Sequence, residues 1–162
     1  ARIVKDAGKQ LTFLHCVTSY PNTLSMCNLS RMDWLRQFAS QIGWSDHTRV
    51  DRDGIKAAKV AIMSGADYVE RHFTVLEQSQ TKDGPVSLTP GLLKELVVFS
   101  RLSQQEQKEL IAREMQDWHV MIGLPLREMT HTEMLNRDYY RGRFASFVNG
   151  EWIYNWENKK VF

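Results

Sequence analysis

The chain contains no run of apolar residues approaching the ~20 that a membrane-spanning helix needs, and its opening, Ala1-Arg2-Ile3-Val4-Lys5, has no secretory apolar core. It also lacks a dominant charge, because 21 basic and 19 acidic side chains are interspersed and leave a formal net charge of +2. That balance argues against nucleic acid or an anionic membrane as partner. Cysteine is scarce. Cys16 and Cys27 are the only two, and without secretory features they read as thiols rather than as a disulfide. No initiating Met precedes Ala1, which suggests a natural beginning further upstream. These absences lead us to expect a soluble, cytoplasmic protein, and a hydrophobic fraction of 43% over 162 residues is enough for a core.

Turn residues and apolar runs divide the chain into alternating strands and helices. Residues 1–7 read as a helix end closed by Gly8. Residues 11–17 then form an apolar run that stops at Ser19-Tyr20-Pro21-Asn22, as a buried parallel strand would. A helix capped by Ser30 or Asp33 carries Trp34, Leu35 and Phe38, and a second strand covers 41–45. The spacing next predicts one helix over 52–65 ending at Gly65, a third strand over 67–73, and a long helix entered through Thr89-Pro90 and running through Leu102.

This β-loop-α order suits the C-terminal portion of a (β/α)8 barrel, with a doubly wound open sheet as the competing fold. Three strands cannot close a barrel that typically needs ~250 residues. We therefore expect a partial barrel over 1–115, followed by a C-terminal extension over 116–162. In the extension, Asn149-Gly150 between hydrophobic residues predicts a β-hairpin, with Trp152, Tyr154 and Trp156 on one face.

The parallel strands would bring their C-terminal ends to one edge. His47, in Gly43-Trp44-Ser45-Asp46-His47-Thr48, and His72, in Glu70-Arg71-His72-Phe73-Thr74, would meet there. Alternation sets Tyr68, Glu70 and His72 on one face of the third strand and Val69 and Arg71 on the other. Two imidazoles with a nearby carboxylate suit a divalent metal that keeps open positions. The competing reading has His72 capping a carbonyl and Glu70 paired with an arginine. Ser45-Asp46-His47-Thr48 reads as a cluster of polar donors able to hold a metal ligand and an anion together, and Thr18, Ser19 and Tyr20 could bind an anion at the first strand's end. His15 reads as a satisfied core histidine, while His119 and His131 fall outside the strand pattern.

The ordered set Leu14-His15-Cys16 with Ser19-Tyr20-Pro21, then Gly43-Trp44-Ser45-Asp46-His47-Thr48, then Glu70-Arg71-His72-Phe73-Thr74 resembles the sialic acid (N-acetylneuraminate) synthase family over roughly residues 1–102. The resemblance implies a transferase that condenses phosphoenolpyruvate with an N-acylmannosamine-type sugar, giving a nine-carbon 2-keto sugar acid and phosphate. It implies a divalent metal, manganese first and magnesium as the alternative, held by His47 and His72. It also implies catalytic roles for His47, His72 and Glu70, the last binding the amino sugar, and phosphoenolpyruvate contacts from Ser45 and Tyr20. Thr18 stands where the family commonly has asparagine.

Two departures mark the chain. The family's Gly-Pro-Asp is replaced by Lys82-Asp83-Gly84-Pro85-Val86, so Asp83 becomes the candidate for the acidic sugar contact. The family's C-terminal antifreeze-like domain is not recognisable. The resemblance further implies that earlier strands carry the remaining substrate contacts, so the expected partner is the N-terminal half of the barrel or a further copy of the chain. The alternatives are a non-catalytic sugar- or metal-binding domain derived from this barrel, and another metal-dependent aldolase-type barrel.

Overall fold

In the computed structural model, which describes residues 1–140 and 145–154, a short helix α1 (Arg2–Asp6) ends before Gly8 at φ +65°. The apolar run that follows forms β1 (Thr12–Cys16). Helix α2 (Arg31–Leu35) leads to β2 (Gln41–Asp46), and β3 (Tyr68–Arg71) completes a parallel sheet in the order β1-β2-β3. Between β2 and β3 the single helix expected over 52–65 is two, α3 (Val50–Asp53) and α4 (Lys56–Met63). Gly54 separates them at φ +58°, a left-handed backbone that breaks the helical ladder. The helix expected from Thr89 through Leu102 is α5 (Pro90–Ser100), and a further helix that the sequence reading does not include follows it, α6 (Gln104–Glu114). Thr89 caps the first, and Ser103 opens the second with a capping box to Glu106.

β2 is central, and alternation divides its side chains between two very different faces. Ile42, Trp44 and Asp46 point to the helices and are fully buried. Around them the core gathers Met32 from α2, Val60 and Ala61 from α4, Phe99 from α5 and Ile111 from α6. Lys59 on α4 is buried as well, its ammonium 2.7 Å from Glu95 on α5 and 3.8 Å from Glu114 on α6, which ties three helices together. On the opposite face the register aligns Leu14 with Gly43 and Gly43 with Tyr68. Leu14 is 37% exposed there and Tyr68 49%.

The first compact unit runs through Arg127, past the boundary expected at 115. Residues 116–127 join it because Met121 is buried in the same core and its carbonyl accepts from Leu29 N–H at 2.9 Å. The second unit, Glu128–Phe162, contains α7 (His131–Tyr140) and an antiparallel pair, β4 (Ala145–Val148) with β5 (Glu151–Tyr154). Asn149 and Gly150 join these strands at φ +52° and +85°. Trp156 lies outside the described residues. No helix among the described residues is long and apolar enough to cross a membrane.

Gly43 is the tightest point of the exposed sheet face. A Cβ there would lie 2.5 Å from the Tyr68 carbonyl oxygen and 2.4 Å from Leu14 Cδ2. Gly43→Ala should lower stability by about 1–3 kcal/mol through overpacking. Gly91→Ala, in α5 with nothing nearer than 3.9 Å, should raise it by up to about 1 kcal/mol. Urea unfolding midpoints of the two variants check the contrast, and equal effects would contradict it.

Candidate functional site

The sheet register assembles the site row by row. Cys16 is aligned with Ser45 and Ser45 with Glu70, all on the face away from the helices. Ser45 Oγ donates to Glu70 Oε1 at 2.6 Å, so Glu70 is held by a hydroxyl rather than by an arginine. Two residues further along, the same alternation brings His47 and His72 together, with ring centroids 5.1 Å apart in an edge-to-face arrangement. The Tyr20 ring lies 3.9 Å from the His47 ring, and its hydroxyl is 3.4 Å from Cys16 Sγ. Cys16 Sγ is in turn 3.8 Å from His47 Nδ1, and Asp83 Oδ2 is 3.6 Å from His72 Nδ1. His47, His72, Glu70, Ser45, Tyr20 and Asp83 therefore form one neighbourhood. Thr18 is exposed in the loop after β1.

Beneath this face lies a buried polar network. Arg71 forms an ion pair with Asp46, their side chains 3% and 0% exposed. The guanidinium also donates to the Thr48 hydroxyl at 3.1 Å and to the Thr48 carbonyl at 2.6 Å. Asp46 Oδ1 accepts from the Thr48 N–H at 2.9 Å and from its hydroxyl at 2.8 Å. Burial pushes the Asp46 carboxyl up, and the Arg71 guanidinium and the Thr48 donors pull it back. The reading of Asp46 and Thr48 as donors to a ligand is thereby corrected. Both are fully buried on the helix side, where they lock the strand ends.

Sequence reasoning also missed Asn22 and Cys16. Asn22 N–H donates to the His47 carbonyl at 3.1 Å, and Arg52 Nη2 donates to the Asn22 carbonyl at 2.9 Å. These bonds dock the Tyr20 loop onto the end of β2. The position of Asn22 just after Tyr20-Pro21 was the available signal, since Asn is a common turn residue with its own hydrogen-bonding side chain. His15 is satisfied, its Nε2 2.8 Å from the Cys27 carbonyl oxygen and its ring 5.0 Å from Trp44.

Burial lowers the His47 pKa to about 4, with His72 pushing the same way and Glu70 and the Ser45 carbonyl opposing. The ring is neutral near pH 7, with one nitrogen lone pair available as a ligand. With metal–nitrogen bonds of ~2.1 Å, two imidazoles on one ion at roughly 100–110° have centroids about 5 Å apart. The observed spacing suits a shared divalent ion. Among the described residues no group of three or more His, Cys, Asp or Glu converges on such an ion, so the histidines would be its only ligands from these residues.

A model of the NeuB family matches residues 1–111. The chain is 37% identical to the N,N'-diacetyllegionaminic acid synthase of Campylobacter jejuni over 106 residues, 64% of this chain and 30% of that one. Its structure is similar to that of the spore coat polysaccharide biosynthesis protein spsE of Bacillus subtilis, with a TM-score of 0.65 at 29% identity over 82% of this chain and 36% of that one. It is also similar to the N-acetylneuraminic acid synthetase of Leptospira borgpetersenii, with a TM-score of 0.57 at 29% identity over 87% of this chain and 43% of that one. The chain thus spans less than half the length of each of these proteins.

Two predictions follow from the geometry. Arg71→Met leaves the Asp46 carboxylate buried without its cation and should cost about 3–5 kcal/mol, while adding Asp46→Leu should recover part of that loss. Urea unfolding of the single and double variants measures both. Because His47 is harder to protonate in the folded chain than its ordinary 6.5, stability is full above pH 6.5 and falls as the pH drops toward about 4. The loss is on the order of 3 kcal/mol at most. His47→Gln should flatten this acid limb in a pH series of unfolding midpoints, and an unchanged limb would refute the assignment.

Proposed function

This chain belongs to the NeuB family, and from that premise we propose that it is the C-terminal portion of a (β/α)8 barrel synthase. The proposed reaction joins phosphoenolpyruvate to an N-acylmannosamine-type sugar, giving a 2-keto sugar acid and phosphate. The observation that carries this reading is the pair of facing imidazoles at the ends of two adjacent parallel strands, beside the Ser45–Glu70 hydrogen bond. Active sites of such barrels lie at the C-terminal ends of the strands.

When bound, a divalent ion, manganese or in its place magnesium, supplies a Lewis acid for the sugar aldehyde. His47 and His72 hold it through ring nitrogens. Glu70 binds the amino sugar, and the Ser45 hydroxyl that fixes it also contacts phosphoenolpyruvate. The Ser45 hydroxyl has a single proton, given to Glu70 at 2.6 Å in the free site and available to phosphoenolpyruvate once Glu70 turns to the sugar. Tyr20, lying against the His47 ring, contributes a second phosphoenolpyruvate contact, and Thr18 a third from the same loop.

The partner in this proposal is the N-terminal half of the barrel, or failing that another copy of the chain. Among the described residues neither outer strand pairs with a further strand, apart from the bridge of Phe73 to Leu88 just past β3, and an unpaired edge is a template for a further strand. The half-exposed Leu14 and Tyr68 lie on the face a barrel would enclose.

The test is phosphate release from phosphoenolpyruvate with manganese and N-acetylmannosamine, using the chain alone and then with a co-expressed N-terminal barrel half. Release is expected only with the added half. His47→Ala should lower it by more than the ~100-fold that loss of a supporting partner produces. Release by the chain alone would overturn the need for a partner, and release indifferent to His47→Ala would overturn the assigned site.

A further inference from the structure

Each of the two histidines has its Nδ1 turned to a different neighbour. At His72 the neighbour is Asp83, whose carboxylate oxygen is 3.6 Å away, and at His47 it is Cys16, whose sulfur is 3.8 Å away. We infer that Asp83 and Cys16 are positioning residues that hold His72 and His47 with the proton on Nδ1, leaving both Nε2 lone pairs for the ion between the rings. The inference rests on the reading of the histidine pair as a cation seat.

The chemistry of the two neighbours is what fixes the proton. A neutral imidazole carries one N–H and one lone pair, and the group facing one nitrogen decides which nitrogen is left to bind a metal. A carboxylate oxygen accepts, so Asp83, 3.6 Å from His72 Nδ1 and within a small side-chain adjustment of a hydrogen bond, favours the proton on that nitrogen. At His47 the thiol has a single proton, and the Tyr20 hydroxyl oxygen 3.4 Å from the sulfur can accept it. The sulfur can then accept from Nδ1–H, acting beside the Ser45 carbonyl that also hydrogen-bonds to this ring.

The loop carrying Asp83 is built to hold it there. The Asp83 carbonyl accepts from Ser87 Oγ at 2.7 Å and from Val86 N–H at 3.1 Å. The neighbouring Gly84 packs so closely on residue 78 that a Cβ would lie 2.0 Å from the Gln78 carbonyl oxygen. Leu88 N–H donates to the His72 carbonyl at 2.7 Å, joining the far side of this loop to the residue it serves. An acid placed before Gly84-Pro85 therefore faces the histidine. The role assigned to Asp83 thus changes from touching the sugar to orienting a metal ligand.

Long-range 15N–1H correlation of the imidazoles in the metal-free chain, at about pH 8 and so above the ordinary imidazole range, reads the proton position directly. Both His47 and His72 are expected as Nδ1–H tautomers. Asp83→Ala should move His72 toward the Nε2–H form without moving His47, and Asp83→Asn, which keeps an acceptor oxygen, should restore it. Cys16→Ala should move His47 alone, and Cys16→Ser should restore it. Nε2–H tautomers in the unsubstituted chain, or tautomers indifferent to Asp83→Ala and Cys16→Ala, would overturn the inference. In the reconstituted particle, a raised sugar KM in Asp83→Ala with the His72 tautomer unmoved would also overturn it and return Asp83 to the sugar. Because the spectra need neither metal nor substrate, their outcome is separable from that of the synthase assay.

Discussion

The buried ion pair between Asp46 and Arg71 is the constraint from which the site follows. Neither side chain is accessible to water, so the pair is tolerable only if its remaining hydrogen-bonding groups are satisfied. Thr48 does most of this, giving its N–H and hydroxyl to Asp46 and taking the guanidinium on its hydroxyl and carbonyl oxygens. A further guanidinium contact reaches the Val86 carbonyl at 3.4 Å, so the segment before α5 is tied to the same point. Strand geometry then determines what happens above. With Asp46 and Arg71 committed to the helix side, His47 and His72, one residue later on each strand, must leave on the other side. The charged pair below thus sets which residues meet above, and the separation of the two rings is inherited from the spacing of adjacent strands.

Desolvation has opposite uses on the two faces. On the helix side it makes the ion pair costly to break, which fixes the strand ends. On the open side it lowers the proton affinity of His47, with the neighbouring imidazole adding to the effect. A ligand nitrogen that is not protonated near neutrality needs no proton released before it can bind a cation. The Tyr20 ring over His47 sustains that partial burial, and the loop that brings it is docked through Asn22, whose N–H donates to the His47 carbonyl and whose carbonyl accepts from Arg52.

Much of this was legible in the chain. The apolar runs and their turn residues located all three parallel strands, and period-two alternation on β3 separated Glu70 and His72 from Arg71 before any coordinates. What stayed hidden was pairing at a distance. Alternation sets Arg71 on the face opposite Glu70 but names no partner for it, because Asp46 lies 25 residues away on a strand whose register a sequence does not reveal. Asp46 and Thr48 were grouped with His47 as ligand donors because they are adjacent in the chain, although their burial sends them elsewhere. The break at Gly54 and the existence of α6 escape for a different reason. Apolar periodicity runs across Gly54 without marking it, and α6 carries few apolar residues although its Ser103-x-x-Glu106 capping box is a readable signal.

The far end of the open sheet face bears on how the site can work. The row of Leu14, Gly43 and Tyr68 lies one step below Cys16, Ser45 and Glu70, and at its centre the glycine lets Leu14 and the Tyr68 backbone close over β2. The two flanking side chains cover a strand that has none to offer at that position. The result is an apolar floor beneath a polar row. The Leu14–Tyr68 row, the Ser45–Glu70 pair and the two imidazoles thus follow one another along the strands. That ordering gathers the carboxylate, the hydroxyl and both imidazoles at the C-terminal ends of the strands.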